Sequence, residues 1–367
     1  MTELGNEDEH YQEQILRRVS RSFALTIPQL PAGLRSQVTN AYLLCRIADT
    51  IEDESALSVA ATLSSLERFV AVVRGEDEPA ELADALLPQL SIRTSPAERE
   101  LVRNMERIIR VTSRLQRSQR RAIEQCVAVM CRGMHHFQRT ASLRGLPRVR
   151  DLSDYCYFVA GVVGELLTEL FCDYSPKIAR QRDRLHELDI SFGQGLQMTN
   201  ILKDIWEDRN QGSCWLPQDI FSRHDIDVAA LSPQYRDSGF ADALSELVGI
   251  THAHLHNALS YTLLIPGEEA GIRRFCLWAI GLALLTLRNI ERAPDFTSAE
   301  QVKVSRSRLV LTQILTSASV HNDRMLKRLF EWAGRSLPLA LLETEGRATP
   351  AKHMRGREAL ATQGQIR

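Results

Sequence analysis

The sequence predicts an all-α protein built as one domain. Three observations carry this. Nearly every long segment repeats apolar residues at a spacing of three and four. Alternating β-branched runs bounded by turn dipeptides are nearly absent. No Gly/Ser-rich or Pro-rich linker is long enough to divide the 367 residues.

Taken in order, the first ten residues, MTELGNEDEH, are polar and acidic, without the basic and apolar regions of a secretory signal. Ile27-Pro28 and Leu30-Pro31 should turn the chain. Residues 38–54 read as helix, with apolar residues at 38, 41, 42, 44, 45, 48 and 51. Residues 74–97 are the most loop-like, with Gly75, Pro79, Pro88 and Pro96, and short helical pieces between. After the breaker Gly145-Leu146-Pro147, helices are expected over 155–171, 196–206, 241–264, 275–290 and 307–315. Leu216-Pro217, Ile265-Pro266-Gly267 and Ala293-Pro294 separate them, and Thr297-Ser298-Ala299-Glu300 offers an N-cap with an acid in the first turn. Residues 1–345 should therefore form one helical domain, with 346–367 a disordered polar tail. The longest apolar run, Phe275 to Leu287, falls short of the roughly 20 residues a membrane span needs, so no transmembrane anchor is expected.

The charge is balanced, 45 basic residues against 46 acidic, which gives no global argument for an anionic membrane surface or for nucleic acid, and no nucleic-acid partner is expected. Seven cysteines without a C-x-x-C pair indicate buried thiols in a reducing compartment, hence a cytoplasmic chain. No glycine-rich phosphate loop is present. An anionic substrate would have to be held by arginine and by metal.

Two acidic clusters stand out. Asp49, Glu52 and Asp53 share one helical face at i, i+3 and i+4. Asn200, Asp204 and Asp208 form a second stripe at i, i+4 and i+8, with Glu207 beside it and Gln197 in line ahead of it. Like charges stacked this way destabilise an isolated helix by a few tenths of a kcal/mol per pair. A solvated surface face is the bland explanation. Against it, Leu43, Leu44, Ile47 and Ile51 crowd the first cluster, and Met198, Ile201, Leu202 and Trp206 the second. Carboxylate and amide oxygens suit Mg²⁺, which keeps waters and binds substrate phosphates. Two such helices facing each other would hold Mg²⁺ against a diphosphate leaving group. Zinc is disfavoured, since no His or Cys lies at ligand spacing near either cluster. His252, His254 and His256 lack the H-E-x-x-H pattern and read as surface or cap histidines.

The ordered set Ser20-Arg21-Ser22-Phe23, Tyr42-x-x-x-Arg46, Asp49-x-x-Glu52-Asp53, Tyr155-Cys156-x-x-Val159-Ala160-Gly161-x-Val163-Gly164 and Asn200-x-x-x-Asp204-x-x-Glu207-Asp208 resembles the squalene and phytoene synthase family. The resemblance covers roughly residues 10 to 335. It implies an isoprenoid-synthase-type helical bundle around a central cavity. It also implies Mg²⁺-dependent head-to-head condensation of two prenyl diphosphates through a cyclopropylcarbinyl diphosphate. Carried over, Asp49, Asp53, Asp204 and Asp208 would serve the metal and diphosphate, supported by Glu52, Asn200 and Glu207. Arg21, Ser22 and Arg46 would contact diphosphate, and Tyr155 would be the general acid/base. Phe23, Tyr42, Val159, Gly161 and Gln197 would line the substrate site. Taken alone, Tyr155 or Tyr157 reads as a core tyrosine. Gly161 and Gly164 fit close helix packing as well as they fit room for a prenyl chain.

Phe275-Cys276, the following Ala283-x-x-Thr286-Leu287, and Val302-Lys303-Val304-Ser305-Arg306 resemble the squalene branch, which reduces the intermediate with NADPH. Lys203, Lys303 and Arg306 would then meet its 2′-phosphate, although each alone reads as surface charge. The expectation is a monomer acting on farnesyl diphosphate, with loose peripheral contact to a membrane. The alternatives are a phytoene or dehydrosqualene synthase, needing no reductant, and a non-catalytic all-α relative, in which broken acidic clusters would be expected.

Overall fold

The computed structural model describes residues 3–139, 141–235 and 237–342. The tail expected at 346–367 lies outside the described residues. Among the described residues there are helices, turns and one isolated β-bridge between Leu146 and Pro217, and no strand. The helices that frame the core and the cavity include α1 (Glu3–Val19), α2 (Ala32–Glu52), α3 (Val59–Arg74), α4 (Arg117–Gln138), α5 (Val149–Tyr174), α6 (Asp189–Lys203), α7 (Ile205–Asn210), α8 (Ser238–Leu264), α9 (Ala270–Arg292), α10 (Arg306–Ala318) and α11 (Asp323–Gly334).

Local chemistry sets the boundaries. Ser58 Oγ accepts from the Ala61 N–H to start α3, and Gly75, at φ 77°, ends it in the left-handed region that glycine tolerates best. The loop-like stretch after it holds a helix at Pro79–Leu86 and a second at Pro96–Arg103, the latter opened by a Ser95/Glu98 capping box. The segment expected as one helix over 196–206 breaks at Asp204, whose φ of −98° and ψ of 16° separate α6 from α7. Ser298 sits at the N-cap of Ala299–Val302 but makes no side-chain cap. Glu207 Oε1 instead accepts from the Ala299 N–H at 2.9 Å.

The core is layered around α6, which packs most extensively against α8 and also against α5 and α9. α5 is one continuous helix that widens into a π turn at Tyr157–Gly161. Glycines let α5 and α6 approach closely. A Cβ on Gly164 would lie 2.1 Å from the Asp189 carbonyl oxygen, and one on Gly193 would lie 2.2 Å from that of Ala160. Both α5 and α9 are, by length and composition, apolar enough to cross a membrane, since each helix extends beyond its longest apolar run. More than half of each apolar stretch is buried inside the protein, as a core helix requires. His252 and His254 are also buried, not at the surface, because α8 is a core helix. His254 Nδ1 lies 2.7 Å from Ser191 Oγ, and His252 Nδ1 2.8 Å from the Pro338 carbonyl.

At the N-terminus, Asp8 of α1 is almost fully buried and pairs with Arg107 (3.1 Å), Arg110 (2.9 Å) and Arg114 (3.2 Å). The hydrogen bond from Arg110, and behind it that from Arg107, hold its pKa down to about 2. A depressed carboxylate stabilises the fold above its unfolded pKa, and the contribution is lost as pH falls from about 4 through about 2. Asp8→Asn is therefore expected to cost about 2 kcal/mol at pH 7 and to melt level with the wild type at pH 2. Thermal melts across that range check it, and an equal loss at both pH values would refute it.

Candidate active site

α2 ends in the first acidic cluster, and α6 with α7 carries the second. The helices converge on a cavity of about 710 Å³. Its wall includes Asp49, Glu52, Asp53, Asn200, Asp204 and Asp208, together with Arg46, Tyr155, Val159, Gln197 and Lys203. The sequence stripe of residues 200, 204 and 208 reaches this cavity although the helix breaks within it.

The carboxylates are electrostatically frustrated. Burial first, and then Asp53 and Glu98 against the relief from Arg46, raise Asp49 to about 7. Burial, then Asp204, Asp53 and Glu207, raise Asp208 to about 7. Glu52, Asp53 and Asp204 are raised as well, with burial the largest cause in each. The repulsion that Asp208 feels from Asp53 links the two clusters across the cavity. Two cations offset part of this charge. Arg46 Nη1 is 3.9 Å from Asp49, and Lys203 Nζ is 3.1 Å from Asp204. Among the described residues no three His, Cys, Asp or Glu side chains close into a ready-made metal cage. Such an open set of hard oxygen donors suits Mg²⁺ completed by water and phosphate oxygens.

Tyr155 lies between the clusters. Its ring stacks on Trp215 with centroids 4.0 Å apart and planes 7° from parallel, and Phe137 packs edge-on at 5.2 Å. Burial, and then the charges of Glu52 and other neighbours including Asp53 and Asp208, push the phenol well above its ordinary pKa. It stays protonated at neutral pH and is a hydrogen-bond donor within the cavity.

Other expected residues fall elsewhere. Glu207 does not line the cavity and caps the Ala299–Val302 helix. Gly161 sits in the π turn, where a Cβ would meet Tyr157 and Ile190 at 3.1 and 3.2 Å. This is helix packing, not a cavity wall. Ser22 is exposed, and Phe23 packs on Tyr42 with centroids 5.0 Å apart. Tyr42 donates to the Val19 carbonyl and stands behind Arg46. Arg21, Lys203 and Lys303 gather electrostatically around exposed Glu300, with Lys303 Nζ at 2.7 Å. Arg306 is exposed at the start of α10.

Besides Trp215, sequence reasoning missed Glu98, Arg93 and Gln138. Glu98 pairs with Arg46 while its backbone N–H is capped by Ser95. The only signal it gave is the capping-box spacing Ser95-x-x-Glu98. Arg93 lines the cavity from a loop that Glu54 holds, accepting from the Ser91 N–H at 2.7 Å and the Thr94 hydroxyl at 2.6 Å. Gln138 Nε2 donates to the Glu52 carbonyl at 2.6 Å, tying α4 to the end of α2.

The sequence model described as squalene/phytoene synthase matches residues 16–308 of the chain. The chain belongs to that family. Squalene synthase of Schizosaccharomyces pombe is 27% identical over 315 residues, covering 84% of this chain and 65% of that protein. Squalene synthase BSS of Botryococcus braunii is 30% identical over 293 residues, covering 77% and 58% respectively. The chain thus spans about three-fifths of the length of these curated relatives. Among solved structures, a TcSQS complex with the ligand BPH1237 superposes with a TM-score of 0.74 at 23% identity, covering 95% of this chain and 96% of that one. That likeness establishes the all-α squalene synthase fold. Within the squalene/phytoene synthase family match lie both acidic clusters, the Tyr155 segment and Lys303 with Arg306.

Proposed function

We propose that the chain joins two farnesyl diphosphates head to head and reduces the resulting cyclopropylcarbinyl diphosphate with NADPH to squalene. The observation that carries this reading is the meeting of Asp49, Asp53, Asp204 and Asp208 in one cavity that also holds Arg46, Lys203 and Tyr155. Asp49, Asp53, Asp204 and Asp208, with Glu52 and Asn200 beside them, would hold Mg²⁺. The bound metal would neutralise charge developing on the departing diphosphate.

The chain's own residues then have defined work. Arg46, kept in place by Glu98, and Arg93 add positive charge around the diphosphate. Breaking the C1–O bond sends the electron pair out with diphosphate and leaves an allylic cation, which the second substrate's double bond attacks. A proton must leave the joined skeleton as the cyclopropane closes. Tyr155, held flat by Trp215, donates to the leaving diphosphate oxygen and relays that proton to it. Trp215, Val159 and Ile201 exclude water from the cation.

NADPH would supply the hydride of the second stage. Lys203, Lys303, Arg21 and Arg306 would receive its phosphates. An exposed ion pair such as Lys303–Glu300 is worth little, so the lysine can exchange partners. An amphiphilic substrate and a very apolar product also give a cytoplasmic monomer reason to touch a membrane.

The test is incubation of the purified chain, and of Tyr155→Phe, with farnesyl diphosphate and Mg²⁺, with and without NADPH, followed by mass analysis. Squalene is expected only with NADPH. The variant should turn over at least about a hundredfold more slowly with an unchanged melting temperature. Dehydrosqualene or a hydroxylated product regardless of NADPH would remove the reductive step. No consumption of farnesyl diphosphate would remove the substrate.

A further inference from the structure

The C-terminal helices leave an apolar surface that the site chemistry does not use. α10 contains no buried side chain at all. It rests on α9 at a close approach, where a Cβ on Gly281 would lie 2.6 Å from Thr312 Cγ2. Leu311 and Leu315 line a groove of about 210 Å³ with Leu284, Leu285, Leu329 and Trp332. Beside the groove, Val310 and Ile314 stand outward at 50% and 59% exposure, and Trp332 at 55%. Isolated exposed apolar residues are ordinary, but a contiguous set on one helix pair marks an interaction surface.

The rim gives the sign of the partner. Arg288 and Arg308 line the groove, and among the described residues no acidic side chain does. Arg292 and Arg335 stand close enough that, after partial burial, they and Arg308 lower the pKa of Arg288. Among the described residues none of these four arginines forms an ion pair. Arg288 and Arg335 each lie over the Trp332 ring, at 5.8 and 5.9 Å. Apolar side chains, an exposed tryptophan and a cluster of arginines without an acidic partner together match the boundary between anionic headgroups and acyl chains. A second copy docked about a two-fold axis would set two arginine clusters against each other. Residues 343–367 carry five basic and three acidic residues, the wrong sign to cover this rim.

We infer that α10, α11 and the outer face of α9 form a docking surface for anionic lipid, with Val310, Leu311, Ile314 and Trp332 entering the headgroup layer and Arg288, Arg292, Arg308 and Arg335 meeting lipid phosphates. The inference deepens the membrane contact of the proposed function. Its test reads binding without turnover, so it can fail while the reaction stands.

The full chain is floated with phosphatidylglycerol-containing vesicles and with vesicles of phosphatidylcholine alone. Binding is expected to the anionic vesicles, to fall in high salt, and to blue-shift tryptophan emission in the wild type but not in Trp332→Phe. Ile314→Asp and the pair Arg308→Glu/Arg335→Glu should each weaken binding roughly tenfold or more. These residues are exposed, and melting temperatures verify that the variants fold. Absence of binding, equal binding to both vesicle types, or binding unchanged in both variants would overturn the inference. A concentration-dependent dimer lost in Ile314→Asp would overturn it in favour of a second copy. Binding that emerges only after deletion of residues 343–367 would overturn it in favour of the chain's own tail.

Discussion

Asp208→Asn is expected to abolish turnover, by a factor of about a thousand or more, and at the same time to raise the melting temperature at pH 7 in the absence of Mg²⁺. The two effects have one cause. Burial and the neighbouring Asp204, Asp53 and Glu207 raise the carboxyl to about 7. Between about 4 and about 7 the folded chain holds more protons on this group than the unfolded chain does. A raised carboxylate therefore costs stability progressively as pH climbs through that window. Asparagine removes the charge and keeps the shape. The variant's advantage should be absent near pH 4 and amount to roughly 1–2 kcal/mol at pH 7, allowing for water in the cavity. Added Mg²⁺ should narrow the gap by stabilising the wild type more. Melts and turnover measured side by side decide it. An Asn variant that melts below wild type at pH 7 yet keeps its rate would show that Asp208 is a structural residue.

Gly164→Ala is expected to be among the most damaging small substitutions in the core. The new methyl would lie 2.1 Å from the backbone oxygen of Asp189, an atom that cannot rotate away. Relief requires α5 and α6 to separate, at about 2–3 kcal/mol or more. Gly193→Ala meets the Ala160 oxygen at 2.2 Å on the same interface. Because α5 carries Tyr155 and α6 carries Asn200, both variants should lose activity along with stability. Gly33→Ala, with nothing within 4 Å of the added carbon, is the control and should melt within about a degree of wild type. If Gly164→Ala melted with the control, the close approach of the two helices would not be what glycine is there to permit.

Much of this was legible in the sequence, for definite reasons. The helices announced themselves by period, and the first acidic cluster by three carboxylates on one face of a helix otherwise flanked by apolar residues. What was not legible depended on contacts distant in sequence. The apolar period runs unbroken through residues 196–206, so nothing local foretold the break at Asp204. Glu207 reads like its neighbours Asp204 and Asp208, yet it points to a backbone N–H contributed 92 residues later. His252 and His254 look like surface residues in isolation. Only the packing of α8 inside the bundle, with Ser191 and Pro338 as partners, makes them core residues. The helical period at 307–315 correctly marked α10, but period alone does not say whether an apolar face meets protein.

The π turn at Tyr157–Gly161 gives the Y-C-x-x-V-A-G-x-V-G segment a geometric meaning. A π turn is one residue longer than the helical turn it replaces, so it offsets the helix beyond it by about 100°. Before and within the turn, Tyr155 and Val159 point into the cavity. Past it, Gly164 points at α6. One helix thus serves two walls that a regular 3.6-residue winding would hold in a different phase. The segment behaves as a rotary joint frozen at a fixed angle. Its length is constrained as tightly as its composition, because losing a residue at either unspecified position of the turn, Tyr157 or Phe158, would rewind it and swing the tyrosine away from the carboxylates while every specified residue of the motif was still present.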